Sequence, residues 1–473
     1  METATAALGF SPLDGGALSL WASAADRARP VTYIHDYVWV FIIAFLVAFI
    51  TTPLVRRLAL RYAVVDRPDV RRKMHLEPVA YLGGVSIFLG WMAGLLAAGL
   101  VLPGHLMAVV GSVQTLLPLN IIAGAVVILV VGLLDDVFAI GPRYKVAGQL
   151  FAAAALANQQ VPVAGGGEVF LGAKLVQDSL GIVGLAALPQ MAAYTLGTAV
   201  IALFVLGGCN AVNLIDGLDG LATGMTAICI LGLLLVGLHV ATIGVAPPQA
   251  AYQPVRIVMC IAMLGALLAF LPYNFNPAVI FMGDAGSLLL GYLVMAIILH
   301  FSYVGVYGPI FVMAGLIIFA IPIIDTTLAI VRRKMRGVPI SSPDCQHLHH
   351  QVLRGFRSLG AGTNLSVKLA VIVMYLLGAL FAALGTVLAL SRGLYVLAVA
   401  LVLFCFIGVT AFKAGHRQFL LDRLRAAGQL EDDEVQADEP SPAPNPDVAT
   451  MDEDAPSNRP ENPAPSASGR GLG

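Results

Sequence analysis

Five clusters of charged and polar residues lie at the ends of long apolar runs in this chain of 473 residues. They combine carboxylates, amides, histidines, basic side chains and glycines. Such groups are costly at membrane depth, so packing alone does not explain them. The clusters are residues 71–75 with Gly83 and Gly84, Asp135 with Asp136, residues 210–219, residues 274–287, and residues 347–350. If they meet on one side of a bilayer, they form a metal-dependent phosphate site at the membrane surface.

The composition places these clusters in a membrane protein. The chain is 58% hydrophobic and 12% charged, whereas soluble domains are nearer to one quarter charged. We predict an all-α polytopic membrane protein, a bundle of about eleven transmembrane helices with cytoplasmic active-site loops, and a count of roughly nine to twelve stays open. The predicted spans are 36–57, 80–102, 119–136, 143–158, 190–209, 217–240, 255–273, 284–304, 308–331, 367–390 and 393–413.

The lysines and arginines predict the orientation, because loops rich in them stay in the cytoplasm. The stretches 56–78, 332–357 and 413–425 are basic, and Arg143 and Lys145 follow the third span. This pattern places the N-terminus outside and the C-terminus in the cytoplasm. All five clusters then fall on the cytoplasmic side.

Three segments are expected along the chain. Residues 1–35 lack a basic region before an apolar core, so we interpret them as an external segment ahead of an uncleaved anchor. Residues 36–426 form the transmembrane domain. The segment 427–473 is acidic and rich in proline, and is expected to be a disordered cytoplasmic tail because it cannot bury enough apolar surface to fold.

Two neighbouring carboxylates end the third span. Asp135 and Asp136 oppose the helix dipole there, so solvation of the helix end alone is a poor explanation. Adjacent helical residues point about 100° apart, so we expect one of them to bind a divalent cation or a phosphate. On the next helix Lys145 shares a face with Gln149 and could hold a phosphate as a point charge. Taken alone, a basic residue at the cytoplasmic start of a helix is more typical of a topological signal than of a binding site.

The segment 210–219 carries an amide or a carboxylate at every third position. On a continuous helix these side chains would drift apart by about 60° per step. Gly217 and Gly220 indicate a break in the helix, which would let all of them converge on a ligand. They suit a nucleotide base and sugar, or the surroundings of a metal ion. The four residues are Asn210, Asn213, Asp216 and Asp219.

Two further clusters complete the predicted site. Asp284 is a candidate metal ligand, and Gly283 and Gly286 beside it suggest close backbone approach to a ligand, with N–H groups free for anions. A simple helix cap is the alternative for Asp284. The three histidines of the last cluster have no cysteine or glutamate partner at zinc spacing. Because Mg²⁺ prefers oxygen ligands, we expect these imidazoles to contact phosphate.

In these motifs the chain resembles the polyprenyl-phosphate N-acetylhexosamine-1-phosphate transferases. The resemblance covers roughly residues 36–413, in the family's order and spacing. It implies a Mg²⁺-dependent reaction, with Mn²⁺ as the alternative ion, that moves a sugar-1-phosphate from a UDP-sugar to a polyprenyl phosphate and releases UMP. The matching segments are residues 65–68, 73–78, Gly83 with Gly84, 132–136, Lys145 with Gln149, 210–222, 276–278 and 283–287.

The resemblance also implies a role for each residue. Asp284 would be the direct Mg²⁺ ligand, joined by Asp135. The catalytic residues would be Asp135, Asp136, His347, His349 and His350. The substrate-binding residues would be His75, Lys145, Asn210, Asn213, Asp216, Asp219 and Asn276.

The closing His-Leu-His-His at 347–350 resembles the branch that uses UDP-N-acetylglucosamine, not the peptidoglycan branch. The implied acceptor is undecaprenyl phosphate in the bacterial cytoplasmic (inner) membrane, and the product would start a lipid-linked cell-envelope polysaccharide. Another UDP-N-acetylhexosamine is the alternative donor. No nucleic acid is expected as a partner, and a homodimer stays open.

A secondary transporter is the competing class, because carboxylates within a membrane also mark transport pathways. A transporter predicts polar residues near the middle of the bilayer and an inverted repeat. Here the clusters lie on one predicted face, and the sequence shows no repeat of useful strength. The enzyme hypothesis is therefore favoured.

Overall fold

The computed structural model describes residues 30–66, 79–100, 118–162, 168–243, 253–339, 346–391 and 393–426. Two compact units divide the chain, Met1–Arg417 and Gln418–Gly473. Of the second unit the structure describes residues 418–426, which are helical. The predicted tail at 427–473 and most of the predicted segment 1–35 lie outside the described residues.

The described part of the chain is mainly helical, with two short pairs of antiparallel strands. The helices are α1 (Pro30–Arg61), α2 (Gly83–Leu100), α3 (Leu119–Phe138), α4 (Pro142–Ala157), α5 (Leu171–Ile182), α6 (Gln190–Ile215), α7 (Leu221–Thr242), α8 (Gln253–Asn274), α9 (Gly283–His300), α10 (Gly308–Ile318), α11 (Ala320–Met335), α12 (Leu348–Ser358), α13 (Thr363–Ser391) and α14 (Leu394–Ala426). The strands are β1 (Val65–Asp66), β2 (Val79–Ala80), β3 (Gln160–Pro162) and β4 (Glu168–Phe170).

Within the described ranges, eight helices are long and apolar enough to cross a membrane. Each of the eleven predicted segments coincides with helix, but three are not simple spans. Helix α2 is apolar but short, and α4 has only 16 residues, two of them basic. The segment 308–331 is the pair α10 and α11, bent by 71°. The helical multi-pass architecture is confirmed, and the count of eleven stays a prediction.

Helix α9 is the centre of the bundle. It packs against α2, α3 and α6, and every one of its residues is buried except Asp284 in its first turn. A charged residue at the single accessible position of a buried helix is costly unless it has partners. The N-terminal end of α9 is therefore a candidate position for a functional site.

Close backbone contact fixes that end of α9 against its neighbours. A Cβ atom added to Gly132 of α3 would lie 2.3 Å from Cα of Ala285, and one added to Gly84 of α2 would lie 2.3 Å from the backbone N of Gly286. Glycine is required at both positions because no side chain fits. These contacts bring the C-terminal end of α3 beside the first turn of α9.

Gly132→Ala is expected to destabilise the protein by roughly 1–3 kcal/mol, because the added methyl overpacks a backbone contact. The measurement is the thermal unfolding midpoint in detergent. Gly207→Ala in α6 is the matched control, since a Cβ atom there meets nothing within 4 Å. Equal midpoints for the two variants would contradict the close contact.

The sequence of the segment 160–188 is also compatible with a hairpin that is partly inserted into the membrane. In the structure this segment contains the antiparallel pair of β3 with β4, followed by α5. In α5 the ammonium of Lys174 contacts the carboxylate of Asp178 one turn later. Burial raises the pKa of Asp178, although Lys174 acts in the opposite direction. This ion pair is separate from the clusters predicted to carry chemistry.

Candidate functional site

A lysine and two aspartates from three helices form the centre of the candidate site. Nζ of Lys145 in α4 lies 2.7 Å from Oδ2 of Asp135 in α3, and it also contacts Oδ2 of Asp284 in α9. Burial lowers the pKa of Lys145, but the charges of Asp284 and Asp135 outweigh that effect, so the net pKa is raised. The ammonium is therefore charged and bridges the two carboxylates.

The second oxygen of Asp284 is held by an amide. Nδ2 of Asn213 donates to Oδ1 of Asp284 over 2.8 Å and lies 2.9 Å from Oγ of Ser287. Oγ of Ser287 in turn donates to the backbone oxygen of Gly283. Both oxygens of Asp284 thus have fixed partners, which sets the direction of its carboxylate.

Asp136 has a different position from its neighbour. Its carboxylate accepts the backbone N–H groups of Asp284, over 2.7 Å, and of Ala285, over 3.0 Å. Gly283 has φ +70°, and a Cβ atom there would lie 2.4 Å from the Asp136 carboxylate. A carboxylate at a helix N-terminus is favoured by the helix dipole. The expectation that these N–H groups are free for a ligand anion is wrong, because Asp136 occupies them.

The predicted helix break at 216–220 is present, since α6 ends at Ile215 and α7 begins at Leu221. The four polar residues of the segment 210–219 nevertheless contact separate groups. Oδ2 of Asp219 accepts from Nδ2 of Asn276 and from the N–H of Ala278, each over 3.0 Å. The exposed Asn210 donates to Gln149 over 3.1 Å. We call Asp135, Lys145 and Asp284 the carboxylate centre. Of the four residues, Asn213 is the one with a hydrogen bond to it.

Asp216 lies in the helix break, close enough to the carboxylates of the site for their negative charges to affect its pKa. Desolvation first, and then the charges of Asp284, Asp136 and Asp219, raise the pKa of Asp216 to about 8. An ordinary aspartate has a pKa of about 3.9. Asp216 is therefore protonated at neutral pH in this structure, and its O–H can act as a donor.

The raised pKa of Asp216 predicts a pH-dependent stability. The folded state binds this proton more tightly than the unfolded state, so its stabilising contribution is complete below about pH 4 and is lost as the pH rises to about 8. We expect the thermal midpoint of metal-free protein to fall over this window, and to fall less in Asp216→Asn. The difference between the two curves isolates this group from the other carboxylates. Parallel curves would contradict the shift.

The histidine cluster packs beside the helix break. The rings of His347, His349 and His350 lie with centroids 4.2–6.2 Å apart. A Cβ atom added to Gly217 would lie 2.5 Å from Nε2 of His349. His349 is fully buried, and burial, followed by the charge of His350, lowers its pKa well below the usual value. His349 is therefore a neutral imidazole against the 216–220 turn.

Two residues beside the site were not found from the sequence. Tyr81 follows β2, and burial, followed by the charges of Asp136 and Asp284, raises its pKa to about 12, so its phenol stays neutral near the carboxylates. Asp325 of α11 lies 2.9 Å from Nδ1 of His347. A lone acid inside an apolar run was the available signal for Asp325, whereas Tyr81 had none. The predicted His75 lies outside the described residues.

The carboxylate centre suits a hard divalent cation. Within the described ranges, no group of three or more His, Cys, Asp or Glu residues forms a ready-made metal site. Mg²⁺, however, is usually bound by one or two carboxylates, with water and substrate phosphates completing the shell. Asp135 and Asp284 already direct one oxygen each to a single cation, the Lys145 ammonium. The donor set therefore fits Mg²⁺ bound together with a phosphorylated ligand.

Comparison with known proteins gives consistent matches. The model of the family described as Glycosyl transferase family 4 matches residues 118–302. The chain is 33% identical over 347 residues to the probable undecaprenyl-phosphate N-acetylglucosaminyl 1-phosphate transferase of Bacillus subtilis (strain 168), covering 73% of this chain and 82% of the relative.

Two further relatives have names of the same kind. The decaprenyl-phosphate N-acetylglucosaminephosphotransferase of Mycolicibacterium smegmatis is 32% identical, covering 68% of this chain and 76% of the relative. The undecaprenyl-phosphate alpha-N-acetylglucosaminyl 1-phosphate transferase of Escherichia coli (strain K12) is 27% identical, covering 67% and 77%. The residues matched by the family model include Asp135, Lys145 and Asp284.

Proposed function

The chain belongs to glycosyl transferase family 4, and on that premise we propose that it transfers N-acetylglucosamine 1-phosphate from UDP-N-acetylglucosamine to undecaprenyl phosphate. UMP is released, and the lipid product starts a cell-envelope polysaccharide. The observation that carries the proposal is the meeting of Asp135, Lys145 and Asp284 from three helices. Carboxylates for a cation and an ammonium for phosphate are the groups that a diphosphate substrate requires.

We propose a single in-line displacement. An oxygen of the lipid phosphate attacks the β-phosphorus of the donor, the bond from that phosphorus to the oxygen shared with the α-phosphate breaks, and UMP leaves with that oxygen. A phosphate monoester has a second pKa of about 6, so at neutral pH the attacking oxygen is already mostly deprotonated. A general base has little proton to remove, and Asp135 then acts by charge and position.

Mg²⁺ is part of the proposal, with Asp284 and Asp135 as the residues that would hold it. When bound, the ion would neutralise the charge that develops on the departing UMP. Asn213 fixes the direction of Asp284, and Asp136 fixes the start of the helix that carries it. Lys145 supplies a positive charge at the same place, on which a donor phosphate can bind.

The site is proposed to face the cytoplasm of a bacterial inner membrane, with the N-terminus outside. The basic stretches 56–78, 332–357 and 413–425 support this orientation because such loops are retained in the cytoplasm. UDP-sugars are soluble nucleotides, and a cytoplasmic site would give them direct access.

The experiment that tests the donor compares UDP-N-acetylglucosamine with UDP-N-acetylgalactosamine, each with undecaprenyl phosphate and purified protein in detergent. Sugar-phosphate lipid and UMP in equal amounts, with the glucosamine donor preferred, is the expected result. Turnover with the other donor alone would retain the reaction and change the sugar. If protein with a cooperative thermal transition formed no product with either donor, the proposed function would be rejected.

A further inference from the structure

A buried carboxylate in the bent pair α10–α11 holds the histidine cluster. Asp325 is 1% exposed, and both of its oxygens have partners. Oδ2 lies 2.9 Å from Nδ1 of His347, and Oδ1 accepts the backbone N–H of Leu348 over 2.7 Å. Nδ1 of His349 is more distant, at 3.8 Å from Oδ2. A buried carboxylate is costly unless it is paired, and these two contacts pair both oxygens of Asp325.

The contact with His347 fixes the state of its ring. A carboxylate can only accept, so Nδ1 must carry the proton. Nε2 is then the nitrogen left for another partner, whether the imidazole is neutral or cationic. A carboxylate that orients a histidine in this way sets both its tautomer and its direction.

The contact with Leu348 fixes the start of α12. His347 is the N-cap of that helix but makes no side-chain cap hydrogen bond. Oδ1 of Asp325 replaces it by accepting an N–H group of the first turn, where a negative charge is favoured. One side chain therefore sets the direction of the first histidine and the position of the helix that carries the other two.

We propose that Asp325 is a positioning residue for the reaction, which acts by presenting Nε2 of His347 to the phosphate groups of the substrates. The phosphate part of this inference rests on the proposed function. Because Asp325 is 1% exposed, it acts through the histidine that it orients and not by direct contact with the substrates.

The substitution Asp325→Asn separates the two contacts. The amide oxygen can still accept from Leu348, while the amide NH₂ group faces Nδ1 of His347 and favours the opposite tautomer. We expect kcat to fall about 10–100-fold, the usual cost of losing a group that orients an active residue, with the thermal midpoint nearly unchanged. Asp325→Ala should lower both. Asp178→Asn, in the separate ion pair of α5, is the matched control and should leave kcat unchanged.

A double-mutant cycle tests whether the effect passes through His347. The double variant Asp325→Asn/His347→Gln should be no slower than His347→Gln alone, because the second change removes the group that the first one orients. If the double variant instead lost kcat by the product of the two single-variant losses, the proposal would be overturned. Wild-type kcat in Asp325→Asn would also overturn it, since the carboxylate would then serve stability alone.

A measurement independent of activity separates this inference from the proposed function. In protein labelled with ¹⁵N-histidine, the His347 resonance is assigned by its loss in His347→Gln. Nδ1 should be protonated in the wild type and should lose that proton in Asp325→Asn. An unchanged spectrum would reject the positioning role even if transfer is observed. A changed spectrum without transfer would instead leave the contact standing and reject the assigned reaction.

Discussion

Asp284→Asn is expected to lower the rate of transfer by roughly 10²–10³-fold, the cost of removing one preorganised electrostatic group from an active site. Asp284 is the single accessible residue of α9, and its carboxylate contacts Lys145 and Asn213. Asparagine keeps the shape but loses the negative charge. The side chain can still accept from Asn213, so the loss should come from charge and not from collapse of the site.

The measurement for Asp284→Asn is kcat against Mg²⁺ concentration, with unfolding midpoints as the check on folding. We expect half-maximal activity at a higher Mg²⁺ concentration than in the wild type. Asp178→Asn controls for the loss of a partly buried carboxylate elsewhere. An unchanged Mg²⁺ titration in Asp284→Asn would count against this residue as the metal ligand.

Lys145→Met is expected to lower kcat/KM by about 10²-fold or more, because it removes a charged group that bridges two carboxylates and could bind a phosphate. Asp135 and Asp284 would then face each other without the ammonium, and two such carboxylates favour taking up a proton. Lys145→Arg keeps the charge and should recover part of the activity. Steady-state kinetics over the donor concentration gives the change in KM and kcat separately.

The control for Lys145→Met is a second lysine in an ion pair. Lys174→Met removes the partner of Asp178 in α5, so it should lower the thermal midpoint and leave KM for the donor unchanged. If Lys145→Met behaved like Lys174→Met, with a stability change alone, the lysine would be a structural bridge and not a phosphate-binding group.

The helical bundle and the carboxylate centre were predictable from the sequence because their signals are local. Long apolar runs marked the helices, and Asp135, Lys145 and Asp284 each lie at a run's end. The multi-pass fold followed from composition, and the break after Ile215 followed from two glycines. These features depend on residue type and spacing, and the tertiary fold preserves them.

The contacts of individual side chains were not predictable, because they depend on how helices distant in sequence meet. The helix of Asn210 and Asn213 continues to Ile215, so the convergence expected from a break did not extend to Asn210. One of Asp135 and Asp136 was expected to bind a ligand, and the sequence did not show which; Asp136 accepts N–H groups of α9, whereas Asp135 contacts Lys145. Asp325 is a lone acid within a predicted span. Its contact with His347, 22 residues further along the chain, depends on the tertiary fold.

In the proposed reaction the β-phosphorus of the donor moves to the lipid. The measurement is transfer from UDP-N-acetylglucosamine labelled with ³²P at the β-position, in the presence of Mg²⁺ and of EDTA. The proposed displacement predicts labelled lipid, unlabelled UMP, and no product with EDTA. Label released as UDP, with sugar alone on the lipid, would contradict the displacement at phosphorus. Equal transfer with EDTA would contradict the metal-binding role of Asp284 and Asp135.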